Sequence, residues 1–85
     1  MSNKMEELME FPVIYTYKAM GENTESFVKD VKNVFESAYI QDFREIKSSK
    51  GSYTSVSVTV TVNSFDELQD TYERIKKVNG LKYHL

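Results

Sequence analysis

A two-layer α+β sandwich of the ferredoxin-like type is the fold class this sequence predicts: a βαββαβ chain with antiparallel sheet order 4-1-3-2 and both helices on one face. Three observations predict it. Apolar spacing switches between the strand period and the helix period to give strand, helix, strand, strand, helix, strand. Glycine turns and helix caps punctuate the switches. Residues 53–62 alternate valines with hydroxyl residues, so one sheet face is built for burial and the other for water. Right-handed crossovers then leave few ways to pack the six elements.

The first strand is "FPVIYTYKAM", residues 11–20, aromatic and β-branched, with Gly21 expected to close it. Pro12 lacks an N–H and so belongs at the strand's beginning or on an unpaired edge. In "NTESFVKDVKNVFESAY" the apolar residues Phe27, Val28, Val31, Val34, Phe35 and Ala38 recur at helical spacing. Thr24 is its N-cap, and Glu25 complements the dipole in the first turn. "QDFREIKS", residues 41–48, alternates imperfectly among charges and reads as an edge strand. "SKGS", residues 49–52, brings a glycine where a hairpin needs positive φ.

In the third strand Thr54, Val56, Val58, Val60 and Val62 face the helices, while Tyr53, Ser55, Ser57, Thr59 and Thr61 face away. Each buried valine contributes about 1.5–3 kcal/mol. A slip of one residue would exchange the whole set for hydroxyls, so the register is strongly fixed. "SFDE", residues 64–67, is a capping box that opens a helix with the stripe Phe65, Leu68, Tyr72, Ile75 and Val78. Lys76 and Lys77 occupy its last turn and Gly80 is expected at C′. "LKYHL" closes the sheet, with Leu81, Tyr83 and Leu85 inward and Lys82 and His84 outward.

Eighty-five residues suit one domain, expected over residues 11–85 behind an N-terminal segment, residues 1–10. In that segment Met5, Leu8 and Met9 make a short apolar seam that reads as a helical turn. Eleven basic against thirteen acidic side chains give net −2, without the basic surplus that a nucleic-acid binder normally shows. Cysteine is absent, which excludes disulfides and thiolate chemistry and suits a reducing compartment. No secretory pattern opens the chain and no apolar stretch approaches the ~20 residues of a membrane helix, so a cytoplasmic protein is expected.

No constellation for catalysis emerges. His84 is the one histidine, and no nucleophile-elbow glycines surround Ser55 or Ser57, the serines on its expected sheet face. The histidine and scattered carboxylates have no metal-ligand spacing, and no cofactor motif is present. "KGSYTSVS" starts like the third strand of an RNA-recognition module at Lys50 and Gly51. Ser52, Thr54 and Ser57 then stand where stacking aromatics are required, so nucleic acid is not the expected partner.

"EELMEFPVIYTYKAMG" and "SSKGSYTSVSVTV" together resemble the YbeD-like group of small bacterial proteins. That group shares an L-x-E-F-P opening, an F/Y-T-Y-K-x-M-G first strand and an S-S-K-G-x-Y-x-S-V-S-I/V-T third strand. Here Leu8, Glu10, Phe11, Pro12, Tyr15 to Lys18, Met20, Gly21 and Ser48 to Thr59 carry the match. The resemblance implies an ACT-like version of the fold and a regulatory role, and brings no established activity. ACT domains bind amino acids where strand one meets helix one, which corresponds to Gly21, Glu22, Asn23 and Thr24. The expected function is a non-enzymatic regulatory or interaction module acting through protein contacts or self-association. The alternative is a dimer that binds a small anionic or amino-acid effector. The expected interaction face is the outer sheet surface: Thr16, Lys18 and Met20 on strand one, Tyr53, Ser55, Ser57, Thr59 and Thr61 on strand three, and Lys82 and His84 on strand four.

Overall fold

The structure, a computed structural model, describes residues 10–84. Its elements are β1 (Val13–Glu22), α1 (Glu25–Val34), β2 (Ile40–Lys47), β3 (Tyr53–Val62), α2 (Phe65–Lys76) and β4 (Leu81–His84). The sheet order is β2-β3-β1-β4, the expected 4-1-3-2 read from its other edge. β1 and β3 form the centre, paired antiparallel without interruption from Val13 opposite Val62 to Glu22 opposite Tyr53.

Parity does the sorting. Val56, Val58, Val60 and Val62 of β3 are buried beside Tyr17 and Ala19 of β1. Against them pack Phe27, Val31 and Phe35 from the α1 region and Phe65, Leu68 and Ile75 from α2. Thr54 continues the inner row as a buried polar residue, and its hydroxyl donates to the Ile46 carbonyl at 3.3 Å. That bond satisfies a group whose burial would otherwise be unfavourable.

The caps hold the helices where the sheet needs them. Thr24 has extended backbone and its Oγ1 accepts from the Phe27 N–H at 3.1 Å. Ser64 Oγ accepts from the Glu67 N–H at 3.2 Å, and each such cap contributes about 1 kcal/mol. The Glu67 carboxylate reaches back to the Asn63 N–H at 3.0 Å, on the residue before the cap. At the hairpin, Gly51 has φ +71° and its N–H donates to the Ser48 carbonyl.

Three local expectations are corrected. Gly21 does not end β1 but lies inside it, because the strand must pass beneath a close contact. A Cβ there would sit 2.5 Å from both the Gly80 oxygen and the Phe27 ring. Gly80 is not the C′ residue of α2. The helix closes through the Lys77 and Val78 N–H groups on the Arg74 and Ile75 carbonyls, and Gly80, at φ +89°, turns the chain into β4. Alternation along β4 is broken by a bulge: Leu81 faces Gly21 but Tyr83 faces Met20, leaving Lys82 as the extra residue. His84 is therefore opposite buried Ala19 and turned toward the helices, while Tyr83 is turned outward. The expected helical turn at Met5–Met9, and Leu85, lie outside the described residues.

Among the described residues no helix is long and apolar enough to cross a membrane. The register yields a paired test. Val58, 1% exposed, replaced by Asp should unfold the domain, since an unpaired buried carboxylate consumes much of a typical stability of about 5–15 kcal/mol. Ser57→Asp, one residue away on the outer face, should shift the denaturation midpoint little. Chemical denaturation of both variants checks the pair, and equal damage would refute the register.

Candidate functional site

The outer face of the sheet is built in rows by strand register. One row runs Ile46, Ser55, Met20, Tyr83 across β2, β3, β1 and β4. Its apolar members are exposed: Ile46 63%, Met20 40% and Tyr83 57%. Tyr53, also exposed, stands two residues from Ser55 on the same face. The next rows are Arg44, Ser57, Lys18 and then Asp42, Thr59, Thr16.

Several hydroxyls in these rows satisfy one another. Thr16 Oγ1 and Thr59 Oγ1 are 2.8 Å apart, and Gln41 Nε2 donates to Thr61 Oγ1 at 2.6 Å. The Arg44 guanidinium binds the Asp42 carboxylate at 3.0 Å, whereas Lys18 is in none of the ion pairs among the described residues. The face is thus a polar field with an apolar row at one end. Such a composition suits a protein contact, where a partly apolar patch is surrounded by hydrogen-bonding groups.

The structure brings together Thr16, Lys18, Met20, Tyr53, Ser55, Ser57 and Thr59 as expected on this face. Lys82 is exposed at the bulge, outside the paired rows. His84 does not belong to the face. The bulge turns it under the sheet, its ring 5.7 Å from that of Tyr72, so the sheet separates it from Ser55 and Ser57. Ile46 and Tyr83, which sequence reading left out, take places in the apolar row. Ile46 was legible from its spacing to Arg44; Tyr83 was hidden by the bulge.

Beneath the other side lies a tyrosine cluster. Tyr17 is sandwiched between Tyr15, Phe35 and Tyr72 at ring separations of 4.9, 5.2 and 5.1 Å. The hydroxyls of Tyr15 and Tyr72 share a 2.6 Å hydrogen bond. The Tyr17 hydroxyl and His84 Nδ1 are buried and find no hydrogen-bond partner among the described residues. Burial raises the Tyr17 phenol above its ordinary value, and burial with the Tyr15 hydrogen bond does the same to Tyr72.

At the start of α1, a cleft of about 350 Å³ is lined by Asn23, Thr24, Glu25, Val28, Lys29, Lys32, Glu45 and Lys47. Only half of the expected Gly21–Thr24 ligand loop reaches it. Gly21 is buried under Phe27, and Glu22 belongs to β1, where its N–H donates to Gly80. Asn23 anchors the cleft to the hairpin through a 2.8 Å bond from its side chain to the Gly51 carbonyl. Lys29, Lys32 and Lys47 were not singled out from sequence, because they come from α1 and β2 and converge only in three dimensions. Lys32 is already engaged, its ammonium 5.1 Å from the centre of the Phe43 ring.

A family model described as a protein of unknown function, DUF493, matches residues 6–85. A UPF0250 protein of Haemophilus influenzae is 38% identical over 81 residues, covering 93% of this chain and 88% of that protein. A UPF0250 protein of Pectobacterium carotovorum is also 38% identical over 81 residues, covering 93% of each chain. Among solved structures, the ACT domain from the GTP pyrophosphokinase of Chlorobium tepidum aligns with TM-score 0.67 at 17% identity, over 85% of this chain and 96% of that one. Protein HP0495 from H. pylori aligns with TM-score 0.70 at 16% identity, over 91% and 85%. These structural likenesses are likenesses of fold.

The buried tyrosines give the domain an alkaline limit. Their folded-state values lie above the 10.0 of a free phenol. Their contribution is therefore whole below about pH 10 and is lost as pH rises through the folded values, because the unfolded chain ionises first. Absorbance of ionised phenol, followed together with circular dichroism, should show the Tyr17 and Tyr72 phenols titrating only as the fold is lost. Tyr17→Phe should flatten the alkaline loss of stability without lowering stability at neutral pH, since it removes a hydroxyl that has no partner among the described residues.

Proposed function

The chain belongs to the DUF493 family of proteins of unknown function, the YbeD-like group whose motifs it carries, and on that premise we propose that it is a non-enzymatic, ACT-like regulatory module acting through protein contacts. The observation that carries the proposal is the row Ile46, Ser55, Met20, Tyr83, which crosses all four strands on the face opposite the helices and exposes apolar side chains on three of them. The sheet has already ordered the backbone that carries these side chains, so a partner covering them gains burial against the loss of side-chain freedom alone. Ser55 and Ser57 keep the middle of the face low, and Lys18 supplies a charge at its centre. A chain without cysteine is suited to a reducing interior, and we place the encounter in the cytoplasm.

The test is capture of partners from native lysate by the wild type and by a Lys18→Glu, Ser57→Arg double variant. Both residues lie on the outer face, so the melting temperature should hold within a few degrees while capture is lost. A partner list that survives the double change would leave the face as solvated sheet and sink the proposal.

The second reading, an effector site, rests on the cleft beside Asn23 and Thr24, where Lys29 and Lys47 line the space next to the start of α1 and Lys32, from its last turn, closes the far side. Free N–H groups at a helix start and nearby ammonium groups are suited to a carboxylate or another small anion. Titration with a panel of amino acids, followed by NMR, should shift the amides of residues 23–32 and 45–47 together. Shifts scattered elsewhere, or none, would leave the protein-contact reading alone.

A further inference from the structure

Asn79 and Gly80 form the turn that delivers the chain from α2 into β4. The Leu81 N–H donates to the Val78 carbonyl at 3.3 Å and closes the turn around them. Gly80 has φ +89°, whereas Asn79, like every non-glycine residue described, does not have positive φ. Negative then positive φ at the two central places is the type II pattern. The Gly80 N–H, at the middle of the turn, donates to no acceptor among the described residues. Asn79 is exposed, and its side-chain amide is not held by a hydrogen bond as those of Asn23 and Gln41 are.

This arrangement leaves a reactive pair unguarded. The carboxamide carbon of an asparagine can close a five-membered ring with the backbone nitrogen of the next residue. Closure needs that nitrogen free, and a following glycine, having no Cβ, leaves its approach open. The other described asparagines lack this combination. Thr24, after Asn23, donates its N–H to the Glu22 carbonyl at 2.9 Å, and the Asn23 side chain is bound to Gly51. Val34, after Asn33, is β-branched and lies within the hydrogen-bond ladder of α1. Ser64, after Asn63, carries a side chain engaged in capping α2.

We propose that Asn79 is a self-modification site, where the Gly80 nitrogen attacks Asn79 Cγ and water completes conversion of the amide to an acid. The N–Cγ bond forms, the Cγ–Nδ2 bond breaks, and the Gly80 proton leaves with the nitrogen as ammonia. Water then opens the cyclic imide at either of its carbonyls, its hydroxyl going to carbon and its proton to nitrogen. Opening at Cγ gives aspartate on an unchanged main chain. Opening at the Asn79 backbone carbonyl gives isoaspartate, whose main chain runs through Cβ and Cγ and is one atom longer.

The longer product falls where the fold has little room for it. The Gly80 carbonyl accepts the Glu22 N–H at 3.1 Å and lies 2.5 Å from where a Cβ on Gly21 would sit. An extra main-chain atom just before Gly80 cannot hold that carbonyl in place and also keep the Val78–Leu81 turn closed. β4 is four residues long and has β1 as its one strand neighbour. Isoaspartate at position 79 therefore loosens β4, whereas aspartate adds charge alone. The site is separate from the partner face and the effector cleft and rests on neither reading.

Incubation of the full, folded chain in mildly alkaline buffer, followed by peptide mapping in a mass spectrometer, tests the proposal. Electron-based fragmentation tells aspartate from isoaspartate. The expected result is loss of the amide at Asn79 well ahead of Asn23, Asn33 and Asn63, with both acids formed. Molecules carrying isoaspartate should lose hydrogen-exchange protection at the Glu22 and Leu81 amides. Asn79→Asp should keep that protection, since its main chain is not lengthened. Asn79→Gln should keep it throughout the incubation, since the five-membered ring cannot form. An Asn79 amide that survives in the folded chain overturns the site, as does equally fast loss at the other three asparagines. Isoaspartate formed with the Glu22 and Leu81 amides still protected overturns the effect on β4.

Discussion

Uninterrupted antiparallel pairing between β1 and β3 is the constraint on which the rest depends. Because side chains alternate, one register decides for both strands which residues enter the core and which meet water. The valines of β3 and the aromatic residues of β1 end on the helix side together. Moving the register by one would put Ser55, Ser57 and Thr59 under the helices, with no partners for their hydroxyls. The outer field of hydroxyls is thus a by-product of core formation before it is anything functional. What distinguishes it from plain solvated sheet is the apolar row that crosses it at one end.

A second, smaller constraint operates where β1 meets β4. Phe27 and the Gly80 carbonyl both press against Gly21, and any side chain there would displace one of them. The same place carries the bulge that inserts Lys82 and reverses the alternation of β4. One residue of irregularity therefore moves Tyr83 to the outer face and His84 to the inner one. The composition of both surfaces near β4 follows from it.

Much of this was legible in the chain. The valine–hydroxyl alternation revealed the buried face of β3, and Thr24 and Ser64 announced their helices as caps do, through short side chains that accept from the next turn. The outer members of β1 and β3 followed from the same parity. What could not be read was non-local. Gly21 resembles a turn glycine in sequence, because the Phe27 ring and Gly80 carbonyl that require it lie elsewhere in the chain. The bulge in β4 leaves no mark in "LKYHL", whose alternation is regular, since it arises from pairing with β1. The cleft lysines likewise belong to two elements that sequence spacing cannot bring together.

The hairpin and the central pair also differ in how far apart their strands lie along the chain. β2 and β3 are joined by the short Gly51 turn, so that their pairing can begin locally and zip from the bend. β1 and β3 are separated by a helix and a strand, and even their nearest pair, Glu22 with Tyr53, encloses a loop of roughly thirty residues. The core faces of both central strands therefore wait on a long closure that the hairpin does not need. Assembly waits on that long-range central pairing, and until β1 arrives the valines of β3 have only half of the inner face to lie beside.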